Sequence, residues 1–181
     1  MNEELEKIEE EVKNCTKCKL CQNRNNTVFG EGNQNAKIMF IGEGPGADED
    51  LQGLPFVGKA GKLMNQAFLG LGIKREEVYI ANIVKCRPPQ NRTPENDEIN
   101  ACIGYLKKQI MLVKPEKIVL LGNTALKAVF GNEYSITSSR GKWIEKKGIK
   151  YMPTFHPAAL LRDESKKNEF WQDLKKVLET T

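Results

Sequence analysis

Lys37-Ile38-Met39-Phe40-Ile41-Gly42-Glu43-Gly44-Pro45-Gly46 decides the fold. A short apolar run rich in β-branched and aromatic residues reads as a buried strand, and the Gly-Pro stretch directly after it ends that strand. The pattern returns at Val78 to Asn82, at Lys117 to Leu121 and at Lys150 to Thr154. Pro153 marks the last of these as short or irregular. Segments of helical period lie between them. Ala60, Leu63, Met64, Ala67, Phe68 and Leu71 fall on one face, and Ile99, Ile103, Leu106, Ile110 and Val113 on another. Thr93 and Pro94 suit the N-cap and first position of the latter helix. Ala125 to Phe130 reads as a short helix stopped by Gly131. Leu5, Ile8 and Val12 mark an N-terminal helix. Phe170, Trp171, Leu174, Val177 and Leu178 mark a C-terminal one capped by Ser165.

Strands alternating with helices predict an α/β fold whose parallel sheet is covered on both faces. In such sheets the site lies beyond the carboxyl ends of the strands. Those ends lead here into Glu43, Asn82, Gly122 and His156, and their convergence on one rim is the central expectation. The 181 residues suit a single domain over 1–181.

Composition narrows the class. Hydrophobic residues make up 39% and charged residues 29%, an ordinary globular balance. No apolar run is long enough to span a bilayer, and the acidic start Met1-Asn2-Glu3-Glu4 is no signal peptide. A cytoplasmic protein is expected. The net charge of +4 is compatible with a polyanion partner without requiring one.

Five cysteines stand at 15, 18, 21, 86 and 102. In a reducing compartment the Cys15-x-x-Cys18 pair with distant cysteines points to ligation, by structural zinc or by an iron–sulfur cluster, and spacing does not choose between them. Cys102, one residue off the apolar stripe, also reads as a buried thiol.

The remaining motifs each admit a plain reading beside a functional one. Three glycines in Gly42-Glu43-Gly44-Pro45-Gly46 let backbone amides approach a ligand, or simply form an exposed turn followed by solvated acids. The acids Asp48, Glu49 and Asp50 make a poor phosphate cradle. Gly53 to Ala60 nearly matches a P-loop, but Ala60 replaces the magnesium-binding hydroxyl. Phe56 in that loop suits base stacking or core packing. Asn82 is a turn asparagine, or an amide that accepts from uracil N3–H and donates to O4, a pattern cytosine inverts. His156 is held out of helical geometry by Pro157 and is catalytic or structural.

Taken together, Cys15-x-x-Cys18, Gly42-Glu43-Gly44-Pro45-Gly46 with Glu49-Asp50, Leu54-Pro55-Phe56-Val57-Gly58, Lys85-Cys86-Arg87-Pro88-Pro89 with Asn91-Arg92, and His156-Pro157-Ala158-Ala159-Leu160 resemble the family 4 uracil-DNA glycosylases, the iron–sulfur branch found in bacteria and archaea. The resemblance spans Cys15 to Arg162. It implies a three-layer α/β/α sandwich around a four-stranded parallel sheet. It also implies a structural [4Fe–4S] cluster on Cys15, Cys18, Cys86 and Cys102, with Cys21 spare. Phe56 would stack on a flipped base, Asn82 would read it, His156 would face O2, and Leu160 would fill the vacated stack. Gly42 and Gly44 would line the base pocket. The better-known branch of the superfamily carries an aspartate and a tyrosine where this chain has Gly44 and Gly46. Glu43 then becomes the candidate for handling water, and Glu49 for excluding a thymine methyl.

The implied activity is hydrolysis of the uracil N-glycosidic bond in single- or double-stranded DNA by a monomer. Lys85, Arg87, Arg92 and Arg162 are the expected phosphate contacts. The alternatives are an electron-transfer or redox-sensing cluster protein, and a DNA-binding module without catalysis.

Overall fold

A computed structural model describes residues 2–179. Met1, Thr180 and Thr181, at the ends of the expected single domain, lie outside them. The elements run α1 (Glu3–Lys13), β1 (Glu31–Gly32), β2 (Ile38–Gly42), α2 (Ala47–Gln52), α3 (Lys59–Leu71), β3 (Tyr79–Asn82), α4 (Asn96–Val113), β4 (Lys117–Leu121), α5 (Asn123–Phe130), α6 (Ile136–Ser139), β5 (Ile144–Lys146), β6 (Ile149–Thr154), α7 (Pro157–Arg162) and α8 (Lys167–Glu179).

The sheet order is β1-β3-β2-β4-β6-β5. Strands β3, β2, β4 and β6 are mutually parallel, which is the four-stranded core expected from the sequence. Every residue of β3, and all but the first of β2 and β4, is buried. Strands apolar on both faces need helices on both sides, which gives the α/β/α layering. Two antiparallel edge strands, β1 and β5, extend this core to six. Sequence reading missed them because they are two and three residues long and carry no apolar run. Charged, short edges of this kind resist pairing with another chain. Pro153 is accommodated because β5 stops pairing at Ile144↔Tyr151, so no neighbour on that side needs its missing N–H.

Helix ends differ in detail. The N-cap of α4 is Glu95 rather than Thr93, and the Glu98 carboxylate accepts from the Glu95 N–H at 2.8 Å. Asp163, not Ser165, caps the turn leading into α8, accepting from the Ser165 N–H at 3.1 Å. Helix α4 also buries a different face from the one its apolar residues mark. Glu98, Cys102, Tyr105, Leu106, Gln109 and Val113 are buried, whereas Ile99, Ile103 and Ile110 are only partly so. Polar residues facing inward have partners that periodicity cannot reveal. No helix among the described residues is long and apolar enough to cross a membrane.

Candidate active site

The chain leaves β2 toward β3 on one side and later returns to β4 on the other, so β2 and β4 flank the point where strand order reverses. Crevices beyond the strand ends form at such points. A cleft of about 830 Å³ opens there, and Glu43, Asn82, Gly122 and His156 all line it. The Gly42↔Asn82 pairing sets the ends of β2 and β3 level.

Asn82 is 1% exposed, and its Oδ1 and Nδ2 have no hydrogen-bonding partner among the described residues. A buried amide with four unmet bonding positions is costly, roughly 1–3 kcal/mol per group, unless a ligand meets them. Gly42 makes room for it: a Cβ there would stand 2.6 Å from Asn82 Oδ1 and 2.6 Å from the Phe56 ring. Gly44 similarly clears Val84, whose Cγ2 would lie 2.7 Å from a Cβ. Gly42 thus makes space for two side chains of the pocket wall, beyond any freedom it gives the turn.

Phe56 takes a left-handed backbone (φ 51°), a strained state for a bulky residue. The surroundings enforce it. Arg75 donates to Pro55 O at 2.6 Å and Phe56 O at 3.2 Å, and is itself anchored on Asn65 and Glu31. Gly61 lies beneath, and a Cβ there would be 2.0 Å from Phe56 O. Gly61→Ala is therefore expected to displace the Phe56 loop and cost about 1–3 kcal/mol, read as a fall in thermal midpoint. The Phe56 ring stacks near His156 at 5.4 Å between centroids and 29° between planes.

His156 caps α7, its Nδ1 accepting from the Ala158 N–H at 3.0 Å. That bond assigns the proton of the neutral ring to Nε2. Burial, helped by the nearby Arg162 charge, lowers the His156 pKa to about 4. Glu43 Oε1 accepts from the Thr124 hydroxyl at 2.5 Å, a bond that bridges the loops after β2 and β4. Thr124 escaped sequence reading, although its position just past a strand end marks it. Glu49 also lines the cleft, with its carboxylate held by three amides: Gly46 at 2.9 Å, Val57 at 2.8 Å and Gly58 at 2.7 Å. Asp50 is not solvated as the acidic run suggested. It is 1% exposed and ties down Asn25 and Asn26.

Three expectations need correction. Leu160 is 0% exposed, because the α7 helix turns it into the core, so it cannot enter a base stack. Its neighbour Leu161 is 48% exposed. Lys85 is 1% exposed and cannot reach a phosphate. Its ammonium bonds Phe29 O, Asn82 O and Gln109 Oε1, and burial lowers its pKa to about 8. Arg92 borders the cleft, but its charge is offset by Glu98 in a two-bond pair at 2.7 and 2.8 Å. Glu98, fully buried, is held below the usual carboxylate range chiefly by Arg92. Arg87 bonds Asn91 at 2.8 Å. Arg162 is exposed at the cleft mouth.

Behind this cleft the chain gathers all five cysteines around a second, small pocket with Arg24, Lys85 and Tyr105. Cys86 and Cys102 are buried, and the other three are partly so. Cys102 Sγ accepts from the Lys85 N–H at 3.3 Å, and Cys86 Sγ from Arg24 at 3.5 Å. No three His, Cys, Asp or Glu among the described residues form a group that could hold a metal ion.

Fold and cleft together place a buried, unpartnered amide, an imidazole and a carboxylate at the carboxyl ends of a parallel sheet. Comparison with known sequences makes the class specific. Residues 29–175 match the model of the uracil DNA glycosylase superfamily. The type-4 uracil-DNA glycosylase of Sulfurisphaera tokodaii is 50% identical over 97% of this chain and 84% of its own length. That of Thermotoga maritima is 52% identical over 89% and 85%. That of Archaeoglobus fulgidus is 41% identical over 97% and 92%. The chain belongs to the uracil-DNA glycosylase superfamily, and within it to the type-4 family.

Proposed function

We propose that this enzyme flips uracil out of DNA into the cleft, reads it with Asn82 and hydrolyses its N-glycosidic bond. The buried, unpartnered Asn82 amide carries the reading, since uracil supplies both the donor and the acceptor it lacks. Phe56 stacks on the base. As the bond to C1′ breaks, negative charge gathers on uracil O2 and positive charge on the sugar. The His156 Nε2–H donates to O2 in the manner of an oxyanion hole. Glu43, oriented through Oε1 by Thr124, turns Oε2 to the sugar and the attacking water. Glu49, fixed by its three amides, is the rigid wall against a thymine methyl. Leu161 takes the stack-filling role that Leu160 cannot.

The test is release of uracil from a labelled oligonucleotide in single-stranded, U·A and G·U forms, with alkali to cut abasic sites. Cleavage at uracil and not at thymine supports the reading, and cleavage at neither overturns it. G·U and single strands are expected to be the better substrates, because flipping costs less there.

Arg162 is the phosphate contact at the cleft mouth. Arg162→Ala is expected to weaken DNA binding and reduce the slope of log K against log salt by about 1. Arg92→Ala, by contrast, leaves Glu98 buried without its partner. It is expected to lower the thermal midpoint with little change in that slope. Titrations at several salt concentrations and thermal melts separate the two.

The five-thiol lining fits a [4Fe–4S] cluster held by Cys15, Cys18, Cys86 and Cys102. When bound, the cluster supplies a structural tie between the Cys15–Cys18 loop and the Cys86 and Cys102 segments. Cys86→Ala is expected to lose iron and the broad visible absorption, and to lower the thermal midpoint before any separate defect in bond cleavage. Full iron content and unchanged melting would refute that ligand set.

A further inference from the structure

Lys85 is a buried charged side chain that the excision chemistry leaves unused. Its three ammonium protons meet three acceptors: Gln109 Oε1 at 2.6 Å, Phe29 O at 3.0 Å and Asn82 O at 3.1 Å. None of these is a carboxylate. Gln109 completes the node by donating to Phe29 O at 2.9 Å and to the Tyr79 hydroxyl at 3.0 Å. The node thus joins the segment before β1, both ends of β3 and the buried face of α4. A cation placed among neutral acceptors this deep is costly relative to an apolar residue of similar size. Its contacts give a reason for it in position, besides the charge of the neighbouring thiols.

Asn82 supplies that reason. It is the last residue of β3 paired with β2, so its carbonyl stands where the regular ladder ends. Its side-chain amide has no partner among the described residues. An amide reads uracil only in one orientation, because a half-turn exchanges its oxygen and nitrogen and would suit cytosine. No hydrogen bond from the described residues holds the amide itself, so its aim depends on the backbone that carries it. We infer that Lys85 is a positioning residue that pins the Asn82 peptide from beneath and so fixes the uracil-reading amide in the cleft. The same residue's N–H holds Cys102 Sγ, which ties the reading strand to the cysteine pocket.

This inference rests on uracil excision in the cleft, and the wild-type enzyme serves as the check on that reading. The test compares full-length wild type, Lys85→Met, Asn82→Ala and the double variant. Three quantities are measured: excision kinetics on a uracil oligonucleotide, binding of free uracil by calorimetry, and affinity for an undamaged duplex of the same sequence. Lys85→Met is expected to lower kcat/KM and free-uracil affinity about tenfold, the loss of one bond from a charged donor. Undamaged-duplex affinity is expected to stay within about twofold. In the Asn82→Ala background, Lys85→Met is expected to add almost nothing, since residues acting through one another are not additive.

Unchanged uracil affinity overturns the inference. So does full additivity with Asn82→Ala. A parallel loss of undamaged-duplex affinity with a shallower salt dependence would make Lys85 a phosphate contact and overturn it too. Should Lys85→Met not fold, Gln109→Leu removes the shortest of the three bonds and is read in the same way. It is expected to shift free-uracil affinity in the same direction, and a wild-type value there overturns the inference. A wild type that binds uracil DNA without releasing uracil would refute the excision reading instead.

Discussion

His156→Ala is expected to bind uracil-containing DNA as the wild type does and to lose excision by about 10²–10³-fold, the usual cost of removing one preorganised donor to a developing oxyanion. The geometry limits what the ring can do. Nδ1 is occupied by the Ala158 N–H, so a neutral ring offers Nε2–H and nothing else. Its pKa of about 4 lies below the ordinary value near 6.5, so the ring is neutral throughout the physiological range. On the proposed reading it is expected to stabilise charge on O2 as a hydrogen-bond donor and not to deliver a proton as a general acid. The pH profile follows from that sign. Excision should be level from neutral pH downward and fall only as pH drops through about 4, where a second proton would displace the Ala158 bond. Between about 4 and 6.5 the unfolded chain binds a proton that the folded chain refuses, so stability should rise with pH across that window. Single-turnover rates from pH 4 to 8 check the first statement. An acid limb centred near 6.5 would mean that the ring charges during turnover, and equal rates in His156→Ala and wild type would remove it from the mechanism.

How much of this was legible in the sequence depended on which physical signal each residue carries. The four parallel strands announced themselves because strands buried on both faces must be continuously apolar. Their ends then located Glu43, Asn82 and His156 without further information. The edge strands β1 and β5 left no such mark, since they are two and three residues long and carry no apolar run. The errors cluster on charged residues and on one leucine. Lys85 and Arg92 look alike in a basic motif, yet one is buried on carbonyls and the other spent on a buried glutamate. Charge patterns give composition and not direction, and only tertiary packing decides where a long side chain points. Leu160 and Leu161 are adjacent and chemically identical. The turn of α7 alone sends one inward and leaves the other exposed. Arg75 and Gln109 were invisible because each acts on a distant segment, and Thr124 was missed although it stands just past a strand end.

Asn82→Asp is expected to lower uracil excision by about 10⁴-fold, near the discrimination achieved by sites built to bond a particular polar group. The substitution keeps shape and volume, so the Gly42 and Phe56 contacts that close around the side chain need not move. What changes is the bonding pattern. The amide offers one acceptor and one donor, which uracil N3–H and O4 satisfy. A carboxylate offers only acceptors, so its second oxygen would face O4 with no proton between them, in a site too buried for water to relieve the clash. Cytosine presents an amine at the same place but an unprotonated N3 beside it, so slow release of cytosine from single-stranded DNA is expected only through the protonated acid, which donates to N3 and accepts from the amine. Asn82→Ala separates recognition from repulsion. It should lose less uracil excision than Asn82→Asp, because an absent partner costs less than an opposed one, and it should gain no cytosine release. The assay is alkali cleavage of matched uracil and cytosine oligonucleotides by the three proteins, with thermal melts confirming that each is folded. If Asn82→Asp excises uracil as fast as the wild type, the base is read elsewhere in the cleft, and the unpartnered amide beneath it would need a different ligand.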